Sequence, residues 1–295
     1  MTRPKIVLFA YSEVGCLCLE ELIKSGANIA AVFTHEDDPG EEIWFRSVKE
    51  IAQRNGIPVR TPRKLDEAEQ EYFLSLKPEL VLSFYYRALI PKAVLDAPRL
   101  GAYNIHGALL PKYRGRACVN WAVLNGESQT GATLHVMTEK ADRGDIVDQE
   151  AVPIEFTDTA LDVFMKVAEA ARRILARTLP ALEAGNAPRR PQNEAEATYF
   201  GRRRPADGEI NWDKSAVEIY NLIRAVTHPF PGAFTELSGK KYYIWKARPL
   251  AAASRADDAA PRQIVSVRPL VVGTGGGLLE ILSLQPEGGE EGDAL

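Results

Sequence analysis

Cysteine is scarce. The chain has three in 295 residues, and Cys16 and Cys18 find no second pair to complete a zinc knuckle. An odd number of thiols argues against a disulfide framework, and no cluster of metal ligands is visible, so no metal is expected. Long apolar runs are missing too. None reaches membrane-spanning length, and residues 1–10 lack a secretory signal pattern. The expectation is a cytoplasmic protein with no membrane insertion. Excess positive charge is also lacking: Lys and Arg total 36 against 40 Asp and Glu. Glu287, Glu290, Glu291 and Asp293 lie in the last nine residues, and without them acids and bases balance. A neutral body with an acidic, Gly-rich tail is not the basic field of a nucleic-acid binder. Glycine is absent where a dinucleotide site needs it. The first turn, Ala10-Tyr-Ser-Glu-Val-Gly15, has a single one, so backbone cannot approach a pyrophosphate there. Gly273-Thr-Gly-Gly-Gly277 lacks the Lys-Ser/Thr of a phosphate loop and reads as a hairpin turn.

What is present alternates. Apolar runs at residues 5–10, 28–34, 57–60 and 79–84 are separated by helical spacing over 14–25, 47–55 and 66–76. This predicts an α/β fold: a Rossmann-like, mostly parallel sheet with helices on both faces. Further strands are expected at 130–137 and 146–154. Thr159-x-x-Asp162 reads as a capping box opening a long amphipathic helix that ends near Gly185. Residues 186–197, rich in Pro, Arg and Asn, read as connecting chain. Short β-like runs between 233 and 284, separated by Gly turns and a polar loop at 251–261, suggest a small β-barrel-like domain. The domain reading is 1–186 for the main domain, 187–205 for a linker, 206–285 for the barrel-like domain and 286–295 for an acidic tail.

The residues with chemistry concentrate in Ala102-Tyr-Asn-Ile-His-Gly-Ala-Leu-Leu-Pro-Lys-Tyr-Arg-Gly-Arg-Ala-Cys-Val-Asn-Trp121. Asn104 and His106 are two apart, so on a strand they share a face. An imidazole moves protons near neutral pH, and an amide N–H holds a developing oxyanion. The competing reading is a polar strand end under a surface loop. Downstream, Ala-Asp142-Arg-Gly-Asp145 offers two carboxylates, and the residues alone do not choose between them. His135 reads as a satisfied core histidine. The acidic run from His35 to Glu42 reads as a solvated turn, and Arg202-Arg203-Arg204 as either a connector or a clamp for a diphosphate.

Asn104-Ile-His106 with Leu109-Leu-Pro-Lys-Tyr-Arg-Gly115 resembles the signature of the formyltransferases that use 10-formyltetrahydrofolate. The continuation, Gly115-Arg-Ala117, Asn120-Trp121 and Asn125-Gly-Glu127, is most similar to the branch that formylates amino sugars on nucleotides, in particular UDP-4-amino-4-deoxy-L-arabinose for lipid A modification. The likeness runs from Phe9-Ala-Tyr11 to Pro231-Gly-Ala-Phe234. Ala108 departs from the usual serine and Cys118 from the usual proline.

The resemblance implies a site. Asn104, His106 and Asp142 would be catalytic: the amine attacks the formyl carbon, Asn104 donates to the resulting oxyanion, His106 shuttles the proton, and Asp142 orients His106. Ala88, Leu89, Ile90, Arg116, Thr138, Glu139, Lys140, Ala141 and Asp142 would contact the folate. Tyr11, Arg203 and Arg204 would contact the nucleotide sugar. The most similar branch is fused to a sugar decarboxylase, so association with a separate UDP-glucuronate decarboxylase, or self-association, is a further expectation. Methionyl-tRNA formyltransferases and formyltetrahydrofolate hydrolases share the motif, and a folate- or sugar-binding module without turnover is the non-enzymatic rival.

Overall fold

The computed structural model describes residues 2–250 and 259–294. Most of the loop expected at 251–261 therefore lies outside the described residues. The chain forms two compact units. The first comprises residues 1–118, 129–153 and 164–200, and the second 119–128, 154–163 and 201–295.

The first part of the chain alternates as expected. In order it forms β1 (Lys5–Ala10), α1 (Ser12–Lys24), β2 (Asn28–Phe33), α2 (Val48–Arg54), β3 (Val59–Arg60), α3 (Glu67–Ser75), β4 (Leu80–Phe84), α4 (Lys92–Asp96) and β5 (Ala102–His106). There follow β6 (Arg114–Gly115), α5 (Cys118–Leu124), β7 (Gln129–Val136), β8 (Ile146–Pro153), α6 (Ala160–Ala184) and β9 (Tyr199–Phe200). Local signals account for several boundaries. Ser47 accepts the Glu50 N–H to start α2, and Asp66 accepts the Glu69 N–H to start α3. The Thr159–Asp162 box caps the first turn of α6.

Seven strands build one sheet in the order β3-β2-β1-β4-β5-β7-β8. The first five are parallel, while β7 and β8 run antiparallel. β1 and β4 are buried along nearly their whole length, as strands covered on both faces must be. Phe9 stacks on Phe33 at 4.8 Å beside Phe73 and Val81 in the core. The order reverses between β1 and β4, the place where open α/β sheets leave a crevice beyond the strand ends. Register levels those ends: Ala10 is opposite Phe84, and Phe84 is opposite Ile105.

The segment read as a linker has structure as far as Phe200. Arg190 exchanges two backbone hydrogen bonds with Ile146, and β9 pairs in parallel with β6. Its order comes from these distant partners, which composition does not report.

In the second unit, α7 (Ala216–Val226) packs against an antiparallel sheet. Its strands are β10 (Ala233–Leu237), β11 (Lys240–Pro249), β12 (Ile264–Val267), β13 (Leu270–Gly273), β14 (Leu278–Pro286) and β15 (Gly292–Asp293), ordered β10-β11-β14-β13-β12. Arg262, just before β12, donates to Thr235 and Glu236 of β10, so the two ends of the sheet curl toward each other. β13 pairs the first part of β14, and β15 pairs its later part at Ser283 and Leu284. Part of the acidic tail is thus a strand, with Glu291 accepting from the Ser283 hydroxyl.

Candidate active site

Antiparallel pairing of β5 with β7 sets Asn104 opposite His135 and His106 opposite Thr133. Directly paired residues share a sheet face, so all four side chains project to one side. His106 and His135 are buried, at 7% and 2% exposure, and Asn104 is half-buried.

Asp142 enters from the β7–β8 loop in a left-handed conformation, φ 59°. Its Oδ1 lies 3.6 Å from His106 Nδ1 and 3.7 Å from His135 Nε2, while Oδ2 accepts the Gly115 N–H at 2.9 Å. The structure therefore gathers Asn104, His106 and Asp142 around one spot and adds His135. Asp145 uses its backbone carbonyl to accept the Val136 N–H.

Hydrogen bonds assign the imidazole tautomers. His106 Nε2 is 2.8 Å from the Tyr113 carbonyl, which can only accept, so Nε2 carries hydrogen. Nδ1 is the nitrogen that faces Asp142. His135 Nδ1 likewise donates to the Val136 carbonyl at 2.8 Å, leaving a lone pair on Nε2 for the Asn104 amide N–H at 3.1 Å. Burial holds the His135 pKa well below the usual imidazole range, outweighing the opposing pull of Asp142.

A further layer fixes Asp142. Gln192 Nε2 donates to the carbonyls of Asp142 and Gly144 at 2.9 and 2.8 Å, and Gln192 Oε1 accepts from Arg114. Arg114 is only 1% exposed and also pairs with Glu194. Two glycines are obligatory here. Gly115 has φ 102°, and a Cβ on it would lie 2.2 Å from the Phe200 carbonyl; one on Gly144 would lie 1.9 Å from the Val136 carbonyl. Thr133 accepts the Leu110 N–H and donates to the Ala108 carbonyl, so β7 also holds the loop after His106.

Thr138, Glu139 and Lys140 line a hollow of about 450 Å³ with Lys92, Leu95, Asp96, Met137 and Arg143. It adjoins the Asp142 loop but is not lined by Asn104, His106 or Asp142. Ala141 accepts from the Tyr199 hydroxyl through its carbonyl. Of the residues at 88–90, Ile90 packs on the core and Leu89 is 82% exposed. Arg116 is exposed, and its N–H donates to Phe200.

Tyr11 is buried, donates to Asp37 at 3.0 Å and lies under the Arg87 guanidinium. Burial and the acid push its hydroxyl pKa up to about 12. The acidic run is more than a solvated turn: Glu36 pairs with Lys49, Asp37 with Tyr11 and Glu41 with Arg87. Arg203 and Arg204 belong to the second unit. Arg203 stacks on Trp121 and donates to the Asp207 carbonyl, whereas the Arg204 side chain is exposed.

His135 is the satisfied core histidine the sequence suggested, buried with both ring nitrogens hydrogen-bonded, but its contact with Asn104 was not foreseen, and Gln192 was passed over. The β7 run signalled a strand around His135, but its register against β5 was not readable. Nothing in the composition around Gln192 pointed to Asp142.

Solved structures of similar fold come from several sources. An N-formyltransferase from Helicobacter canadensis, in complex with folinic acid and dTDP-3-aminofucose, is 21% identical with TM-score 0.75, over 95% of this chain and 99% of that one. WlaRD, a sugar 3N-formyl transferase, is 22% identical with TM-score 0.73, over 95% and 98%. HypX from Aquifex aeolicus in complex with tetrahydrofolic acid is 17% identical with TM-score 0.68, over 99% of this chain and 46% of that one. The formyl transferase family model matches residues 5–179, and the formyl transferase C-terminal domain model matches 203–295. This chain belongs to the formyl transferase family and is a formyltransferase.

Proposed function

We propose that this enzyme transfers a formyl group from 10-formyltetrahydrofolate to the amine of a nucleotide-linked sugar. The observation that carries the proposal is the grouping of Asn104, His106 and Asp142, with Asp142 Oδ1 3.6 Å from His106 Nδ1. The folate supplies an activated formyl group on nitrogen. The hollow beside the Asp142 loop suits it. Its volume falls in the roughly 300–1,000 Å³ range of small-molecule sites. Leu95 and Met137 offer apolar contact to a ring, and Lys140 offers a cation to a carboxylate.

The chain's own residues then divide the work. The Asn104 N–H not used by His135 donates to the formyl oxygen as charge develops there, a kind of contact whose loss typically costs about a hundred- to thousandfold in rate. His106 takes the proton of the attacking amine at Nδ1, because Nε2 is committed to the Tyr113 carbonyl, and returns it to the folate nitrogen as that nitrogen's bond to the formyl carbon breaks. Asp142 faces the resulting imidazolium. A positioned acid–base group of this kind contributes roughly a hundred- to ten-thousandfold.

A sugar amine is favoured over charged tRNA because the run at 36–41 carries acids, and the cations beside it, Lys49 and Arg87, are taken up in pairs with Glu36 and Glu41 and leave no positive surplus for phosphates. The Helicobacter canadensis enzyme holding dTDP-3-aminofucose and the sugar 3N-formyl transferase support the same acceptor class. Likeness at residues 115–127 points to UDP-4-amino-4-deoxy-L-arabinose, and so to lipid A modification, as the first acceptor to test. The experiment is a panel of UDP- and dTDP-linked amino sugars offered with 10-formyltetrahydrofolate, read as mass gain. One acceptor should gain a formyl group, and His106→Ala should abolish the gain while keeping the fold. Formate release without any amine would instead mark a hydrolase.

A further inference from the structure

The polar group opposite Asn104 is not part of the Asn–His–Asp set, yet it touches two of its members. His135 stands directly across the β5–β7 ladder from Asn104, with Nε2 3.1 Å from the amide nitrogen and 3.7 Å from Asp142 Oδ1. Its ring is locked. Nδ1 must donate to the Val136 carbonyl at 2.8 Å, so Nε2 can only accept. The Asn104 side chain therefore turns its NH2 toward His135 and carries its second N–H in a fixed direction. Without an acceptor at Nε2, the amide can rotate by half a turn at little cost and present its oxygen where the N–H was.

We propose that His135 is a positioning residue that sets which end of the Asn104 amide faces the reacting carbonyl. The inference rests on the reading of Asn104 as the oxyanion donor. A flipped amide would place an acceptor against developing negative charge, so the loss falls on the transition state and appears in kcat more than in KM. The requirement is for a lone pair at the Nε2 position, not for an ionisable ring. Glutamine places its amide oxygen near that position, whereas leucine fills similar space without an acceptor.

The test compares His135→Gln, His135→Leu, Asn104→Ala and the double variant Asn104→Ala/His135→Leu. Each is checked for folding by circular dichroism and thermal melting. His135→Leu should lower kcat by about ten- to a hundredfold, a part of the full donor loss, with KM for acceptor and folate nearly unchanged. His135→Gln should recover most of that rate. In the Asn104→Ala background, His135→Leu should cost little more, because its effect runs through the amide. Equal losses in Gln and Leu variants that both fold, or a full additional loss in the double variant, overturn the proposal. Parent-like turnover by Asn104→Ala instead removes the donor role itself. A measurement independent of turnover uses 15N-labelled histidine in the parent. His135 should be neutral with hydrogen on Nδ1, and hydrogen on Nε2 overturns the proposal even where His135→Leu fails to fold.

Discussion

Asp142 and Gly115 are joined at 2.9 Å, the Gly115 N–H donating to Oδ2 and leaving Oδ1 toward His106. One contact thus decides which carboxylate oxygen meets the imidazole. Asp142→Asn keeps an oxygen for Gly115 but turns an NH2 toward His106, removing the negative charge from its Nδ1 side. Turnover should fall by roughly a hundredfold or more, with melting temperature changed little. A kcat near the parent value in the folded variant would show that the carboxylate charge is not used.

Gln192 links Arg114 to the Asp142 turn through both ends of its amide. Gln192→Leu leaves two carbonyls without their donor and part of a nearly buried guanidinium without its acceptor. A cost of about 2–4 kcal/mol is expected from stranded polar groups of this kind. Chemical denaturation would measure it, and turnover of the folded fraction should also drop because Asp142 is no longer held in its left-handed turn.

Gly115→Ala should be among the most damaging single changes. The new methyl would collide with the Phe200 carbonyl, and φ 102° is unfavourable to any side chain. The β6–β9 pairing then opens, which hydrogen exchange at Arg116 should report as lost protection, since its N–H donates to Phe200.

Stability should fall in mild acid in a way traceable to His135. Its pKa is lowered in the folded protein, chiefly by burial, while in the unfolded chain it titrates near the ordinary value of about 6.5. Below that pH the unfolded state binds a proton that the folded state resists, so unfolding becomes easier, at about 1.4 kcal/mol for each unit of depression. His35, also lowered by burial, adds in the same direction. Unfolding free energy followed from pH 7 to pH 5 should decline in the parent and decline less in His135→Gln. Parallel curves would contradict the assignment.

Much of this was legible in the residues. The alternating runs placed β1 to β4 and helices α1 to α3 within a residue or two, because hydrophobic periodicity and caps are local properties. The expectation of a mostly parallel sheet also matches, the antiparallel part being β7 and β8. What escaped was non-local. His135 is the core histidine it was read as, but its partner was not readable because only the β5–β7 register sets it against Asn104. Residues 187–200 looked like a connector because the partners that order them, Arg114, Ile146 and Asp142, lie some 40 to 80 positions earlier. The short helix α5 was hidden under motif residues, and α4, five residues long, is too short to show a helical period.

The joining of β6 to β9 has a kinetic corollary. Gly115 sits between Asp142 and a strand more than 80 residues downstream, joined to it through the Arg114–Tyr199 and Gly115–Phe200 pairs. Closing so long a loop costs chain entropy before it returns any contacts. On dilution from denaturant, helical signal should recover first, and competence for turnover should trail it, arriving with burial of the Arg114 guanidinium.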